Sequence, residues 1–184
     1  MDKNNYHLTN AIYAKIKSAL EAMLVDLGCS GWQVVRSNQP TIQALQGDTI
    51  YFDVISRRRY GTQGTIPVKV DGVWTVESTW YEELLVQVSG FKRKSPQTDS
   101  VETLSSSDVV GLLQGLVNAN GDIKYFSESW LDVIRSSDLR EIVFQTDSGL
   151  NDKFPMFEFV LVVEQRVLKN IGKIDTIELE TKRI

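Results

Sequence analysis

The sequence has little of the chemistry that most enzyme sites need, because its 184 residues include one cysteine, Cys29, and one histidine, His7. A single cysteine excludes a disulfide within the chain, and these two residues are too few for a zinc site with the usual four Cys and His ligands. A hydrolytic site would have to use His7, close to the start of the chain, beside an acid and a nucleophile. The sequence therefore predicts no catalytic residues, no metal ligands and no cofactor.

Long hydrophobic runs and a surplus of positive charge are also missing. The most apolar stretch, FEFVLVVEQ, is interrupted at Glu164, short of the roughly 18–20 apolar residues that span a membrane. The first ten residues lack the basic and then apolar layout of a signal peptide. Lys and Arg number 20 against 24 Asp and Glu, a net charge of −4, whereas a general nucleic-acid or anionic-membrane surface would need a strong basic excess. We expect a cytosolic protein with no membrane partner.

Two segments have the apolar spacing of amphipathic helices. Residues 8–27 place apolar side chains every three or four positions, and Gly28 follows as a typical helix stop. The second helix follows a polar stretch, and Ser107 or Asp108 is its predicted N-cap. Each helix has one face to bury.

The strands are predicted from period-two alternation. Residues 49–60 and 73–91 alternate, and Asp71-Gly72 between them is a hairpin signal preceded by a long turn. Residues 133–135 form a short predicted strand followed by a turn. The stretch FPMFEFVLVVEQRVL is apolar on both faces, which is typical of a central, fully covered strand.

This order of elements predicts one α+β domain over residues 1–184. Its sheet is twisted and antiparallel or mixed, and the two main helices pack on one face. A polar loop at 92–107 precedes the second helix, and the acidic C-terminal arm at 172–184 is an exposed strand or arm. Such a sheet has unprotected edges that pair with something or carry features that prevent pairing.

The sharpest local charge feature is Arg57-Arg58-Arg59 at the end of the first long strand. Strand parity puts Arg57 and Arg59 on the face away from Ile50 and Phe52, with Arg58 on the core side or past its edge. Three interpretations remain open: contact with carboxylates of a neighbouring subunit, contact with DNA phosphate, or a solvated strand end capped by local acids.

Other charged residues invite weaker hypotheses. Lys92, Arg93 and Lys94 begin the polar loop and are either solvated or dock on another protein. Arg140 lies between Asp138 and Glu141 in a predicted turn, where a local ion pair is expected. The candidate subunit-interface or lumen contacts are therefore Arg57, Arg58, Arg59, Lys92, Arg93, Lys94 and Arg140.

Two features of the second long strand bear on function. Glu82 and Glu83 are adjacent, so they point to opposite faces and form no acid/base pair, and Glu82 breaks the apolar alternation. Trp74 and Trp80 share parity with the apolar residues of that strand, which favours core packing over a base-stacking platform.

Several segments together resemble the tail-terminator or neck proteins of tailed bacteriophages. They are AIYAKIKSALEAML, IYFDVISRRRYGTQG, WYEELLVQVSGF, SSDVVGLLQGLV, and the C-terminal half from YFSESWLDVIRSSDLREIVFQTDSG through FPMFEFVLVVEQRVL to IDTIELE. The resemblance covers roughly the whole chain in order, and it implies a tail-terminator-like fold without enzyme activity. It also implies a ring, usually a hexamer, that caps the tail tube, ends its polymerisation and joins it to the head.

The partners that this resemblance implies are further copies of the chain, the tail-tube protein and the head-completion or connector protein. Double-stranded DNA would pass through the lumen without sequence-specific binding. The protein would be part of the virion neck after assembly in the host cytoplasm. A monomeric or dimeric module that holds a ligand or short nucleic acid on its sheet is the alternative. Oligomeric state and salt-dependent retention on nucleic acid distinguish the two.

Overall fold

A mixed, open six-stranded sheet with two α-helices makes up the computed structural model, which describes residues 9–37, 47–92, 104–120, 124–126, 130–145 and 151–170. This confirms the α+β class. The elements are α1 (Thr9–Asp26), β1 (Gln33–Arg36), β2 (Thr49–Val70), β3 (Val73–Phe91), α2 (Ser106–Asn120), β4 (Leu131–Ser136), β5 (Arg140–Gln145) and β6 (Asn151–Asn170).

The strand order in the sheet is β1-β2-β3-β6-β4, and β5 also pairs with β6. β1 runs parallel to β2, whereas every other pair is antiparallel. The parallel β1 makes the sheet mixed. Sequence analysis missed both β1, which is four residues long, and β5, whose residues it assigned to a turn.

Glycine ends α1 as predicted. Gly28 has a positive φ of 72°, and its N–H donates to the Val25 carbonyl at 3.0 Å while the Cys29 N–H donates to the Leu24 carbonyl at 2.8 Å. This pair of bonds is a Schellman motif, which satisfies carbonyls that the last turn leaves open. The buried stripe of α1 consists of Ile12, Ile16, Ala19, Leu20, Met23 and Leu24.

The N-cap of α2 is Ser105, so the prediction of Ser107 or Asp108 is wrong by a few residues. The Ser105 hydroxyl accepts the Asp108 N–H at 3.2 Å, and the Asp108 carboxylate accepts the Ser105 N–H at 2.8 Å. Each side chain thus satisfies the main chain of the other in a capping box. Asp108 takes part in the cap from the third helical position.

The β2–β3 hairpin is much longer than predicted. The prediction of a turn over residues 61–70 is wrong, because this segment continues β2 in register with β3 up to Val70 opposite Val73. Pro67 is tolerated there because no described strand pairs with the other edge of β2 at that position. Asp71 and Gly72 form the predicted turn with φ angles of 50° and 84°, as a primed two-residue hairpin turn requires.

The helices cover only one end and one face of this sheet. The buried core contributed by β2, β3 and β6 ends at Leu84 and Val163, and it joins the apolar stripes of both helices. No described residue of 57–82 or 164–170 belongs to that core. We call these two stretches, which continue β2, β3 and β6 past the helices, the extension.

β6 is central, as predicted, but it is not fully covered. Phe157, Phe159 and Leu161 face the helices and are at most 1% exposed, whereas Met156 and Val162 on the opposite face are half-buried. The reason is that both helices pack on the same side of the sheet. The C-terminal arm at 172–184, the loop residues 93–103 and His7 lie outside the described residues.

Candidate functional site

A β-bulge at Ile55 decides where the arginines of β2 point. Val54 lies opposite Val86, but Ser56 lies opposite Leu85, so one extra residue enters β2. This insertion exchanges the two faces for every residue that follows. Arg57 consequently lies opposite the buried Leu84, on the helix side.

The prediction that Arg57 and Arg59 face away from the core side is therefore wrong. Of the two placements left open for Arg58, the one on the core side is also wrong. Arg57 and Arg59 do share a face, as expected, but it is the helix side. Arg58 lies opposite Glu83 on the other face. Alternation alone could not reveal the exchange, because the bulge depends on pairing with β3.

Glu82 organises a polar cluster on the helix side of the sheet, where the extension begins. Its carboxylate accepts the Arg57 Nε at 2.7 Å, the Trp80 indole N–H at 3.2 Å and the Gln165 side-chain amide at 3.3 Å. Gln165 is fully buried, and the Arg59 guanidinium lies 5.3 Å from the Trp80 ring centroid. We call Arg57, Arg59, Trp80, Glu82 and Gln165 the root cluster.

On the opposite face, Arg58 donates from Nε to the Glu83 carboxylate at 2.6 Å. This confirms that Glu82 and Glu83 point to opposite faces and act separately. The Arg58–Glu83 pair borders a cavity of about 210 Å³ that also touches Arg135. Acids of the same chain thus partner Arg57 and Arg58, and their contact with a neighbouring subunit or with phosphate stays a prediction.

The extension exposes large apolar side chains on both faces. On the side away from the helices, the exposed fractions are 50% for Tyr60, 56% for Ile66, 46% for Val73 and 42% for Tyr81. On the helix side Trp74 is 49% exposed, with the Lys69 ammonium 6.0 Å from its ring. Core packing of Trp74 is therefore a wrong prediction, and Trp80 is half-buried in the root cluster instead of the core.

Among the described strands, only β1 pairs with the outer edge of β2, and it does so over four residues. β1 pairs with β2 only as far as Arg36 opposite Phe52, and the Ser37 N–H caps this pairing by donating to the Phe52 carbonyl at 2.9 Å. Beyond Phe52, no described strand pairs with the outer edge of β2. Such an edge presents main-chain donors and acceptors to another strand.

The remaining candidates lie apart from the root cluster. The Lys92 ammonium donates to the Leu104 carbonyl at 3.1 Å and so bridges the two ends of the polar loop. Arg140 is exposed and is the first residue of β5, opposite Met156, instead of lying in a turn. Arg93 and Lys94 lie outside the described residues. Of the candidates that the structure describes, it therefore brings together Arg57 and Arg59 on one face, with Arg58 on the opposite face.

A family model described as the E217 gateway protein gp29 matches residues 7–173. The chain belongs to this family. It is a family of structural proteins of the bacteriophage head–tail gateway, which confirms the resemblance to phage neck proteins at that level. The narrower assignment to tail terminators stays a prediction. A comparison with curated proteins found no match.

The match to the gateway family includes every described element, from α1 to the end of β6. Across those described residues, no group of three or more His, Cys, Asp or Glu side chains is placed to hold a metal ion. Neither described helix is long and apolar enough to cross a membrane.

Sequence reasoning missed three members of the root cluster as functional candidates, namely Trp80, Glu82 and Gln165. Glu82 left a signal, because it interrupts the apolar alternation of β3 on the side that becomes buried toward the helices. Gln165 left no such signal in the sequence, since a single glutamine in an apolar strand does not show which side chain it contacts.

Proposed function

We propose that this gateway-family chain is a structural component of the virion neck, where several copies, six by the resemblance, close into a ring. The observation that carries the proposal is the extension. It is a three-stranded continuation of the sheet without core residues among those described, and large apolar side chains are exposed on both of its faces. Clustered exposed apolar side chains are typical of protein interaction sites.

Ring closure fits the two different sides of the sheet. Among the described strands, β1 and β2 form one side of the sheet, and β4 and β5 lie on the other side next to β6. A contact between two unlike surfaces of identical subunits propagates from copy to copy, and it closes when the rotation per subunit divides a full turn. The extension supplies one such surface.

Burial of the exposed apolar side chains of the extension would stabilise the contact between subunits. The charged groups of the extension would set the register of that contact. Fully burying a large apolar side chain stabilises by about 1.5–3 kcal/mol, so a half-exposed side chain such as Ile66 or Trp74 contributes about 1 kcal/mol when a neighbour covers it. Charged groups at the rim, including Arg58 and Arg59, orient the subunits more than they add affinity.

The proposed mechanism at the neck is surface complementarity without catalysis or cofactor. One face of the ring docks on the end of the tail tube, and the other docks on the head-completion or connector protein. Covering the tube end removes the surface on which further tube subunits add, so polymerisation stops. Copies assemble in the host cytoplasm and remain in the virion. A net charge of −4 lets double-stranded DNA pass without being held.

The cavity beside Arg58 gives little support to the alternative of a monomeric or dimeric ligand-binding module. The cavity beside Arg58 is about 210 Å³, whereas small-molecule sites usually measure about 300–1,000 Å³. Arg58 is also already paired with Glu83.

Negative-stain microscopy and mass measurement of the purified full chain test the proposal. We expect rings with a central hole and a mass that is a multiple of 20.8 kDa. The double variant Ile66→Ser with Trp74→Ser should leave the fold intact and lose the ring, because both side chains are exposed in the extension.

Val25→Ser is the matched control, since Val25 is 63% exposed on α1, and it should retain the ring. Addition of the wild-type protein to polymerising tube protein should give tubes that stop growing. A chain that stays monomeric alone and in the presence of tube and connector proteins would contradict the proposal.

A further inference from the structure

Two β-bulges lie at the same level of the sheet, on strands that are not neighbours. The bulge in β2 leaves Ser56 opposite Leu85, and Leu85 in turn lies opposite Val160 of β6. A second bulge, at Ile134 of β4, leaves Arg135 opposite the same Val160. One row of residues therefore crosses four strands and has a bulge at each end.

The two bulges put two arginines on the face of the sheet away from the helices. Without the second bulge, strand alternation would turn Arg135 toward the helices, whereas with it Arg135 lies opposite Val160 on the other face. In the same way, the first bulge places Arg58 opposite Glu83 on that face. Bulges often re-aim side chains next to functional sites, so this shared effect points to a site between the two arginines.

Both arginines line one cavity of about 210 Å³. Its lining consists of Ser56, Arg58, Glu83, Leu85, Arg135 and Val160. Two arginines against one glutamate leave the cavity with an excess of positive charge. The cavity is smaller than the roughly 300–1,000 Å³ of small-molecule sites, so the occupant that its size and charge favour is a single acidic side chain.

Arg135 differs from Arg58 in its partners within the chain. Glu83 pairs with Arg58, whereas none of the residues that the structure describes forms an ion pair with Arg135. Asp132 and Glu158 lie one step from Arg135 along the same face, on β4 and on β6, and neither pairs with it. Arg135 is exposed in the single subunit, where water solvates its charge.

Exposed apolar side chains lie on both sides of the cavity. Tyr60 opposite Tyr81 is the next pair on this face after Arg58 and its partner, roughly 7 Å along the strands, and the two rings are 50% and 42% exposed. On β4, Ile134 is 51% exposed. A neighbouring copy that covers these apolar groups also removes Arg135 from water, which is strongly unfavourable unless the neighbour supplies an opposite charge.

We propose that a neighbouring copy of this chain inserts an aspartate or glutamate side chain into the cavity, where its carboxylate pairs with Arg135. The inference rests on the proposed ring, because the next subunit supplies the carboxylate. The chain has 24 Asp and Glu against 20 Lys and Arg, so it offers more carboxylates than its own cations can pair. The planar guanidinium binds a carboxylate through two parallel hydrogen bonds, which fixes the register between subunits.

Zero-length crosslinking of the full-length protein tests the contact. Arg135→Lys keeps the positive charge and supplies a primary amine, which a carbodiimide joins to a carboxylate in direct contact with it. Isotopically light and heavy copies are mixed as subunits and then assembled into rings. We expect the introduced amine to be joined to an Asp or Glu of another copy. Lys17, which pairs with Glu21 of its own helix at 3.6 Å, is the internal control and should be joined to Glu21 of the same copy.

Charge variants of the full chain test the strength of the contact. Arg135→Gln should raise the concentration at which rings dissociate by about tenfold, because the inserted carboxylate loses its partner. Arg135→Glu should raise it by about a hundredfold, because two like charges then face each other. Lys17→Gln is the matched control on the exposed side of α1, and it should leave that concentration unchanged.

The outcomes separate this contact from ring assembly itself. Rings in which the introduced amine is joined only within one copy, to Asp132 or Glu158, would give Arg135 a partner in its own chain and refute the inserted carboxylate. Rings in which that amine forms no link, or Arg135→Glu rings as stable as the wild type, would refute it as well while leaving the ring intact. A full chain that forms no ring would refute both proposals.

Discussion

The helix-covered half of the sheet and the extension are built from the same three strands, yet different forces stabilise them. In the covered half, β2, β3 and β6 bury Phe52, Val86 and Phe159 at 2% exposure or less. In the extension, main-chain pairing continues without core residues, and ion pairs such as Arg166 with Glu77 at 3.2 Å join the strands. Exposed ion pairs contribute about 0–1 kcal/mol each. Packing therefore stabilises the covered half, and the extension depends on the covered half for its own stability.

Each of the three long strands therefore has one part that stabilises the fold and another part that is available for contacts with other copies. A ribbon of few strands is only marginally stable without a hydrophobic face that is covered. The extension is therefore the region where substitutions should change contacts with other copies, while substitutions in the covered half should unfold the protein.

The largest effect is expected for truncation of a core aromatic residue. Phe159→Ala should lower the free energy of unfolding by about 3–5 kcal/mol, because Phe159 is fully buried and contacts the rings of Phe126 and Phe157 at centroid distances of 5.8 and 6.2 Å. Chemical denaturation measures the change. Trp74→Ala in the extension is the comparison and should cost less than about 1 kcal/mol. Equal losses would show that the extension is part of the same core.

The next largest change in stability is expected at Gly90, where β3 closely approaches α2. A Cβ on Gly90 would lie 2.5 Å from Val110 Cγ2 of α2, so Gly90→Ala should destabilise by about 1–3 kcal/mol through overpacking. On the exposed side of the same helix, a Cβ on Gly115 meets nothing within 4 Å. Gly115→Ala should instead stabilise by about 0.5–1 kcal/mol. Thermal unfolding of both variants checks the opposite signs.

The root cluster should affect the extension locally. Glu82→Gln removes the charge that Arg57 contacts and weakens the bond to the Trp80 indole, at a cost of about 1–2 kcal/mol. Hydrogen exchange should show faster opening of residues 57–82, with little change in β6 near Phe159. Glu77→Gln, at a more exposed ion pair, should have a smaller effect. Uniform acceleration over the whole sheet would contradict the separation of the two regions.

The smallest effect concerns pH and the start of α2. The Ser105 hydroxyl and then the Ser105 N–H, both donating to its carboxylate, lower the pKa of Asp108 below its ordinary value. A lowered folded-state pKa stabilises the protein above the unfolded pKa, about 3.9, and this contribution is lost as the pH falls through the folded pKa. The stability difference between wild type and Asp108→Asn should therefore shrink in acid. A stability difference between wild type and Asp108→Asn that stays constant as the pH is lowered from neutral would contradict this prediction.

Features set by local chemistry were predictable from the sequence. Gly28 ends α1 and Asp71-Gly72 turns the hairpin because both positions need positive φ angles that few other residues adopt. The helical stripe of α1 and the alternation near Ile50 also survive in the structure, since their periods match the geometry of each element. The α+β class follows from these local signals.

Features that depend on strand pairing were not predictable from the sequence. Residues 61–70 have the Gly, Thr and Pro content of a turn, yet they form a strand because β3 lies alongside to pair with them. The bulge at Ile55 changes which side of the sheet Arg57 faces, and β5 exists because β6 supplies its partner. No residue in these segments signals its partner by itself.

The sequence by itself determined the two helices, the long strands and their order, and how little material the chain has for an active site. Only the tertiary structure decided which face the arginines of β2 occupy, how far the sheet extends past the helices, and how the strands pair. The physical reason is the sequence separation between the residues that interact. Turn angles and periodicity depend on a few neighbouring residues, whereas register, bulges and coverage by helices depend on strands that are distant in sequence.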